Sequence, residues 1–234
     1  MTLIGKTPVE LENRPPARDW KLPALRTLLI ILALAAWFGT QAMLGARPDS
    51  GVAVGDKLHD VLAPVNAYLN VHVWARHALL ISSSVVIDIL AVFLLLRSIF
   101  GKTIRPFLGL LILFALRQIV QWLCPLHGPA GMIWEDPGFP SLLVTYGVGN
   151  DLFFSGHTAL AVFGAAELAR LHRVLVVPAV LIALFEITTV LSLRAHWTMD
   201  VYAGAVTALL VATLVERTSG PVDGFLSRLV SRHR

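Results

Sequence analysis

Asn150-Asp151-Leu152-Phe153-Phe154-Ser155-Gly156-His157-Thr158 and, some forty residues later, Arg194-Ala195-His196-Trp197-Thr198-Met199-Asp200 are short polar clusters set at the ends of long apolar runs. An ionisable side chain at the centre of a membrane helix costs about 2.5–3.5 kcal/mol, so such residues near membrane depth are functional candidates by default. The remainder of the chain then reads as a scaffold that brings the two clusters together.

Apolar runs extend over about Ala24–Leu44, Ala78–Leu96, Pro106–Leu123, His157–Ala169, Val174–Leu193 and Trp197–Val215. The first matches the roughly 20 residues that cross a 30 Å hydrocarbon core, and it exceeds a secretory h-region of about 7–15, so it reads as a signal anchor. The fourth, which holds Gly164 and Glu167, is short. Of 234 residues 56% are hydrophobic and only 15% charged, with mean hydropathy +0.72. Soluble domains carry about 25% charged residues, so the composition excludes one large aqueous core. The expected fold is all-α: a polytopic membrane protein with six transmembrane helices. Its parts are a tail over 1–23, a membrane domain over 24–215 with the catalytic core at about 106–215, and a second tail over 216–234.

Lys and Arg orient this arrangement, because cytoplasmic loops carry their excess. Fourteen of the nineteen fall in the N-terminal segment through Arg26, the Arg97–Arg105 loop, the Arg170–Arg173 loop and the C-terminal tail. Both termini are therefore expected in the cytoplasm and both polar clusters on the opposite side. The net charge of +4 has this topological use, and without a dense basic run interleaved with aromatics it points to no nucleic-acid partner. Cys124 is the single cysteine, which excludes an intrachain disulfide. The loop from Cys124 to Phe154 holds Pro125, Pro129, Pro137 and Pro140 and cannot be a regular spanning helix. It reads as a lid over the site or as a connector.

His196 and Asp200 are four apart, so on a helix they share a face, and the carboxylate can fix one ring nitrogen and leave the other basic. His157, on the same membrane side, suits a proton donor to a leaving group. Ser155-Gly156 resembles a helix entry, whose free N–H groups favour an anion, and Arg117 and Arg194 are cations that can neutralise phosphate oxygens. These are the parts for phosphoryl transfer through a phosphohistidine, with no cofactor or metal required. Two histidines and a carboxylate are also a metal-binding set. No His-Glu-x-x-His motif and no Gly-rich phosphate loop occurs.

At these clusters the chain resembles the type 2 phosphatidic acid phosphatase superfamily and, within it, the sphingomyelin synthase-like branch. Asp151, Ser155, Gly156, His157 and Thr158 match that branch's Asp-x3-Ser-Gly-His-Thr motif. His196, Thr198, Asp200 and Val201 match its His-Tyr-Thr-x-Asp-Val motif, with Trp197 in place of Tyr. Phe153-Phe154-Ser155-Gly156-His157 is also similar to the plant phosphatidylcholine:diacylglycerol cholinephosphotransferases. The superfamily's Lys-x6-Arg-Pro motif is absent, Lys102-x-x-Arg105-Pro106 having the wrong spacing, as is the Ser-Arg pair upstream of the nucleophile. These departures favour the synthase-like branch over a typical phosphatase. The resemblance implies a six-helix fold with His196 as nucleophile, Asp200 as its partner and His157 as acid, and with Asp151, Ser155, Gly156, Arg117 and Arg194 toward the substrate.

The expected function is a metal-independent integral membrane phosphotransferase that moves a phospho-head-group from a phospholipid to a lipid alcohol. A lipid phosphate phosphatase and a non-enzymatic lipid-binding or transport protein stand as alternatives. The expected location is a bacterial inner membrane with a periplasmic site, or a eukaryotic endomembrane with a luminal one. Glu186, near mid-span, reads as structural and Glu167 as interfacial, while Asp88 is open between structure and site. Trp74, Trp122, Trp134 and Trp197 read as an aromatic belt.

Overall fold

The computed structural model describes residues 20–46, 55–147 and 152–231. Asn150 and Asp151 of the first cluster fall outside them. Eight α-helices and no strand occur among the described residues: α1 (Lys21–Gly45), α2 (Lys57–Val61), α3 (Ala63–Val71), α4 (Val73–Phe100), α5 (Arg105–Leu123), α6 (Gly156–Ala169), α7 (Val176–Ser192) and α8 (Thr198–Ser231). Five stretches are long and apolar enough to cross a bilayer, namely Lys21–Met43, Val73–Phe100, Arg105–Leu123, Arg173–Ser192 and Thr198–Ser231.

The fourth apolar run is α6, as short as its sequence reads, and it is not among these five. Ser155 caps its start, its hydroxyl accepting from Thr158 N, and the helix ends at Arg170, leaving 14 residues. At 1.5 Å per residue that is about 21 Å, too short to cross a 30 Å core unaided. Instead α6 is enclosed by α4, α5, α7 and α8. Ala159, Ala161 and Phe163 are wholly buried, whereas Ile89 of α4, Leu181 and Leu184 of α7 and Leu210 of α8 are exposed. Large apolar side chains outside and polar ones such as Ser83, Gln121 and Glu186 inside fit a bundle solvated by lipid. Close packing on α6 depends on missing side chains. Phe163 occupies the space a Cβ on Gly109 would need, and a Cβ on Gly204 of α8 would stand 2.8 Å from the Ser155 carbonyl oxygen.

The chain alternates between two ends, and the described start of α1 and end of α8 share one of them. There Asp223 accepts from Ile104 N at 2.8 Å, Thr103 Oγ1 at 2.6 Å and Arg26 Nη2 at 3.2 Å. Arg26 also donates to the carbonyls of Ser98 and Gly101. Beside this knot Glu167 receives Arg105 and Arg170, and Arg170 reaches on to Glu216. Glu167 is thus a buried ion-pair centre rather than merely interfacial. Val222 and Leu226, one turn apart, pack with Ile30, Ile104 and Phe107, which keeps α8 helical to Ser231 through Pro221.

Asp223→Ala strips a shared acceptor from three donors and leaves the 3%-exposed Arg26 without its carboxylate. Removing one partner of a buried pair costs about 3–5 kcal/mol, so this variant is expected to show a clearly lowered unfolding temperature in detergent. Arg228→Ala, which loses only a bond to Gly224 O, is expected to stay within about 0.5 kcal/mol of the parent.

Candidate active site

The end of the bundle opposite Asp223 carries both motifs, and a backbone hydrogen bond joins them: Ser155 N donates to Asp200 O at 3.1 Å. Between α7 and α8 the chain turns through a Schellman arrangement. Ala195 N donates to Val190 O, Arg194 N donates to Leu191 O, and Arg194 takes the left-handed position at φ 51°. That position favours glycine and costs an ordinary residue about 1–2 kcal/mol. The Arg194 guanidinium offsets this by donating to Ala130 O at 2.7 Å and His59 O at 3.2 Å. The Arg194 guanidinium is thus tied to the carbonyls of Ala130 and of His59 in α2, and Arg194 is not among the residues that line the cleft.

At the third residue of α8, Asp200 reaches back to the start of its own helix, Oδ2 accepting from Trp197 N at 2.9 Å, the acidic half of a capping box. His196 Nδ1 stands 3.6 Å from the same oxygen, beyond hydrogen-bond length. His196 Nδ1 and Asp200 Oδ1 are both buried without a partner. A small ring rotation would bring Nδ1 into hydrogen-bond reach of Asp200 Oδ2, and unliganded catalytic hydrogen bonds are commonly this loose.

His157, in the first turn of α6, packs edge-on against Trp134 with ring centroids 5.2 Å apart, and its Nε2 is buried and unpartnered. Arg117 of α5 approaches from the other side, Nε donating to Phe154 O at 2.9 Å and Nη1 to Gln41 Oε1 at 3.4 Å. Gly156 admits it, since a Cβ there would lie 3.1 Å from Arg117 Nε. Ser155 is a helix cap rather than a cleft residue, its hydroxyl being taken by Thr158 N. His157, His196, Gly156 and Arg117 line one cleft together with Gln41 and Trp134.

The proline-rich loop forms one wall. Asp88 holds it, accepting from Leu142 N, Leu143 N and Ser141 Oγ, and Leu143, Val144 and Thr145 face the cleft. Glu186 bonds Ser83 Oγ at 2.6 Å inside the bundle. Trp74 and Trp122 are exposed as belt residues are, but Trp134 walls the cleft and Trp197 is buried, stacked on His59 and donating to His127 O. The belt reading does not describe those two, because the loop carries Trp134 onto His157 and Trp197 is covered by His59 and His127.

The family model described as AtPDCT1/2, the phosphatidylcholine:diacylglycerol cholinephosphotransferase family, matches residues 48–217. The chain belongs to this family. Neither a curated protein nor a solved structure matches it. Membership makes it a member of a membrane lipid phosphotransferase family, and its several apolar helices make it an integral membrane protein. The cholinephosphotransferase family fits a eukaryotic endomembrane; neither fold nor family supports the bacterial inner-membrane expectation. The match begins after α1, so Trp37 and Gln41 reach the cleft from outside the family's matched region.

Sequence reasoning missed the clamp over the His196 turn. Asp56 caps α2 through Leu58 N and His59 N, and it also receives Thr198 N at 2.6 Å and Thr198 Oγ1 at 2.8 Å, satisfying free donors at the start of α8. His59 Nε2 meets His196 O at 3.0 Å. The one available signal was the Asp-x-x-His pair before a helix. Burial alone would raise the Asp56 carboxyl, but the Thr198 donors, the nearby His59 ring and His59 N hold it below its ordinary 3.8. A lowered carboxyl stabilises the fold fully above about pH 4, and that contribution is lost as pH falls through the lowered value. Asp56→Ala is expected to cost about 1–2 kcal/mol at pH 7. Melting curves in detergent should show the gap between variant and parent closing as pH drops below about 4.

Proposed function

We propose that the protein moves phosphocholine from phosphatidylcholine to diacylglycerol through a phosphohistidine on His196. The observation that carries this reading is the single cleft shared by His157, His196 and Arg117, with Asp200 behind His196. Nδ1 faces Asp200, so Nε2 is the nucleophile. It attacks the donor phosphorus, the bond from phosphorus to the glycerol oxygen breaks, and His157, as the imidazolium, gives its Nε2 proton to the departing alkoxide and is left neutral. Diacylglycerol leaves and phosphocholine stays on His196, whose Nδ1–H is held by the Asp200 carboxylate. A second diacylglycerol then gives its hydroxyl proton to His157 and attacks phosphorus, and the phosphorus–nitrogen bond breaks to regenerate His196. Arg117 neutralises the phosphoryl oxygens throughout, and two adjacent helix N-termini add partial positive charge. Asp151, matched to the same motif, is proposed as a substrate-side residue.

In this scheme α6 is a sixth crossing, buried in protein rather than bathed in lipid, and residues 106–215 form the catalytic core. Both termini face the cytoplasm and the cleft faces the lumen, as the distribution of Lys and Arg supports. Every step uses groups of this chain, so no metal ion is required.

The test is purified protein in vesicles with head-group-labelled phosphatidylcholine and diacylglycerol of a different acyl-chain length, with and without a chelator. Label is expected in newly formed phosphatidylcholine, unchanged by chelator. His196→Ala is expected to fall to background, and His157→Asn by about 10²–10⁴-fold. Label on the protein that survives alkali but not acid marks the intermediate. Release of inorganic phosphate from phosphatidic acid in place of transfer would establish the phosphatase reading, and loss of activity with chelator would overturn the metal-free scheme.

A further inference from the structure

A second cavity, of about 350 Å³, lies between α1, α4 and α5, within the usual size of small-ligand sites. Leu34 of α1, Ala91 and Leu95 of α4 and Leu110 of α5 give it an apolar lining without a charged residue. Ala36 of α1 and Ala115 of α5 line it and are also exposed on the outer surface of the bundle. The cavity therefore opens sideways, into the plane where lipid lies, rather than toward either aqueous face.

At its inner end the cavity meets the His196 cleft. Trp37, Phe114 and Leu143 line both, and the Trp37 and Phe114 rings, 5.2 Å between centroids, stand as the partition. Two buried polar atoms at this junction have no partner: the Trp37 indole Nε1, a donor, and Gln118 Oε1, an acceptor whose amide nitrogen is already bonded to Gln41. Orphaned buried polar groups are rare and each calls for an explanation. From inside to outside the order is thus a cationic and imidazole cleft, an unpaired N–H with an unpaired carbonyl, and an apolar cavity open to the bilayer. A glycerolipid presents a matching order: phosphate or hydroxyl, ester carbonyls that can accept from the Trp37 N–H, and an acyl chain.

We infer that this cavity binds an acyl chain of the glycerolipid whose head-group end lies at His196, with Trp37 Nε1 donating to its ester carbonyl. The inference rests on the lipid head-group transfer proposed above and assigns to α1 a part in substrate binding. Phosphatidylcholine and diacylglycerol share the chemistry that the cavity recognises.

The full chain is reconstituted in vesicles with trace phosphatidylcholine, or in a second arm trace diacylglycerol, each carrying a photoactivatable diazirine in mid-chain. After irradiation, label is expected on peptides spanning 33–40 and 110–119, and it is expected to drop at least severalfold in Ala36→Phe and in Ala115→Phe, two outward-facing substitutions that fill the cavity with little strain on the fold. The arm that labels names the lipid. Equal labelling of parent and filled variants, or label spread over outward faces such as Val180 and Leu184 of α7, would mean bulk lipid only and overturn the site. In transfer assays the filled variants are expected to raise KM for long-chain lipid with kcat largely kept. Trp37→Phe retains a ring and removes the donor. The parent is expected to favour ester over ether-linked lipid about fivefold, the worth of one hydrogen bond, and Trp37→Phe to lose that preference; no preference in the parent would overturn the role of Trp37. If the parent transfers no head group at all, the proposed function fails, while the labelling pattern still decides the cavity.

Discussion

The hydrogen bond from Ser155 N–H to the Asp200 carbonyl fixes the rest of the site, because it holds the starts of α6 and α8 against each other. Each helix start carries unsatisfied N–H groups and about half a positive charge. Two of them side by side, with Arg117 beside them, repel until anions intervene. Asp200 and Asp56 supply part of that negative charge at α8, through Trp197 N and Thr198 N. The remaining positive field falls in the cleft of His157 and His196, and a phosphate is the group that answers it. Gly204 makes the close approach possible, as no side chain fits against Ser155 O.

The two ends of the bundle are built on opposite principles. At the Asp223 end polar groups close on one another: Arg26, Thr103 and Ile104 on Asp223, and Arg105 and Arg170 on Glu167. At the other end His157 Nε2, His196 Nδ1, Asp200 Oδ1 and Trp37 Nε1 are buried with nothing to bond. Such unsatisfied groups oppose folding, and departures of this kind concentrate where a ligand completes the set. The stitched end supplies the stability against which the open end is held.

Apolar runs made most of the helices legible, because a residue facing lipid has no polar alternative, and the paired His and Asp motifs placed the cleft. What escaped detection depended on contacts with distant parts of the chain. Arg194 reads as a free cation in sequence, yet its turn needs a left-handed residue whose side chain can reach Ala130 O and His59 O. Trp134 reads as interfacial until the loop held by Asp88 carries it onto His157. Glu216, Arg217, Gly220 and Pro221 look like the end of a helix, and only packing of Val222 and Leu226 on α1 and α5 carries α8 past them. Asp56 and His59 act across 142 and 137 residues respectively, a separation at which no local pattern exists.

The shortness of α6 sets a depth. With its Arg170 end anchored among Glu167, Arg105 and Glu216, a helix of about 21 Å stops roughly 9 Å before a 30 Å hydrocarbon layer does. In the proposed orientation His157 sits below the level at which phospholipid phosphates rest, in a cleft walled by Trp134 and the proline-rich loop. A phosphate must sink to reach the nucleophile, carrying its glycerol into the layer where the next lipid alcohol already lies and where water is scarce. In the proposed mechanism, the partition of the phosphohistidine between a lipid hydroxyl and water is in this way set by the length of one helix as much as by any side chain around it.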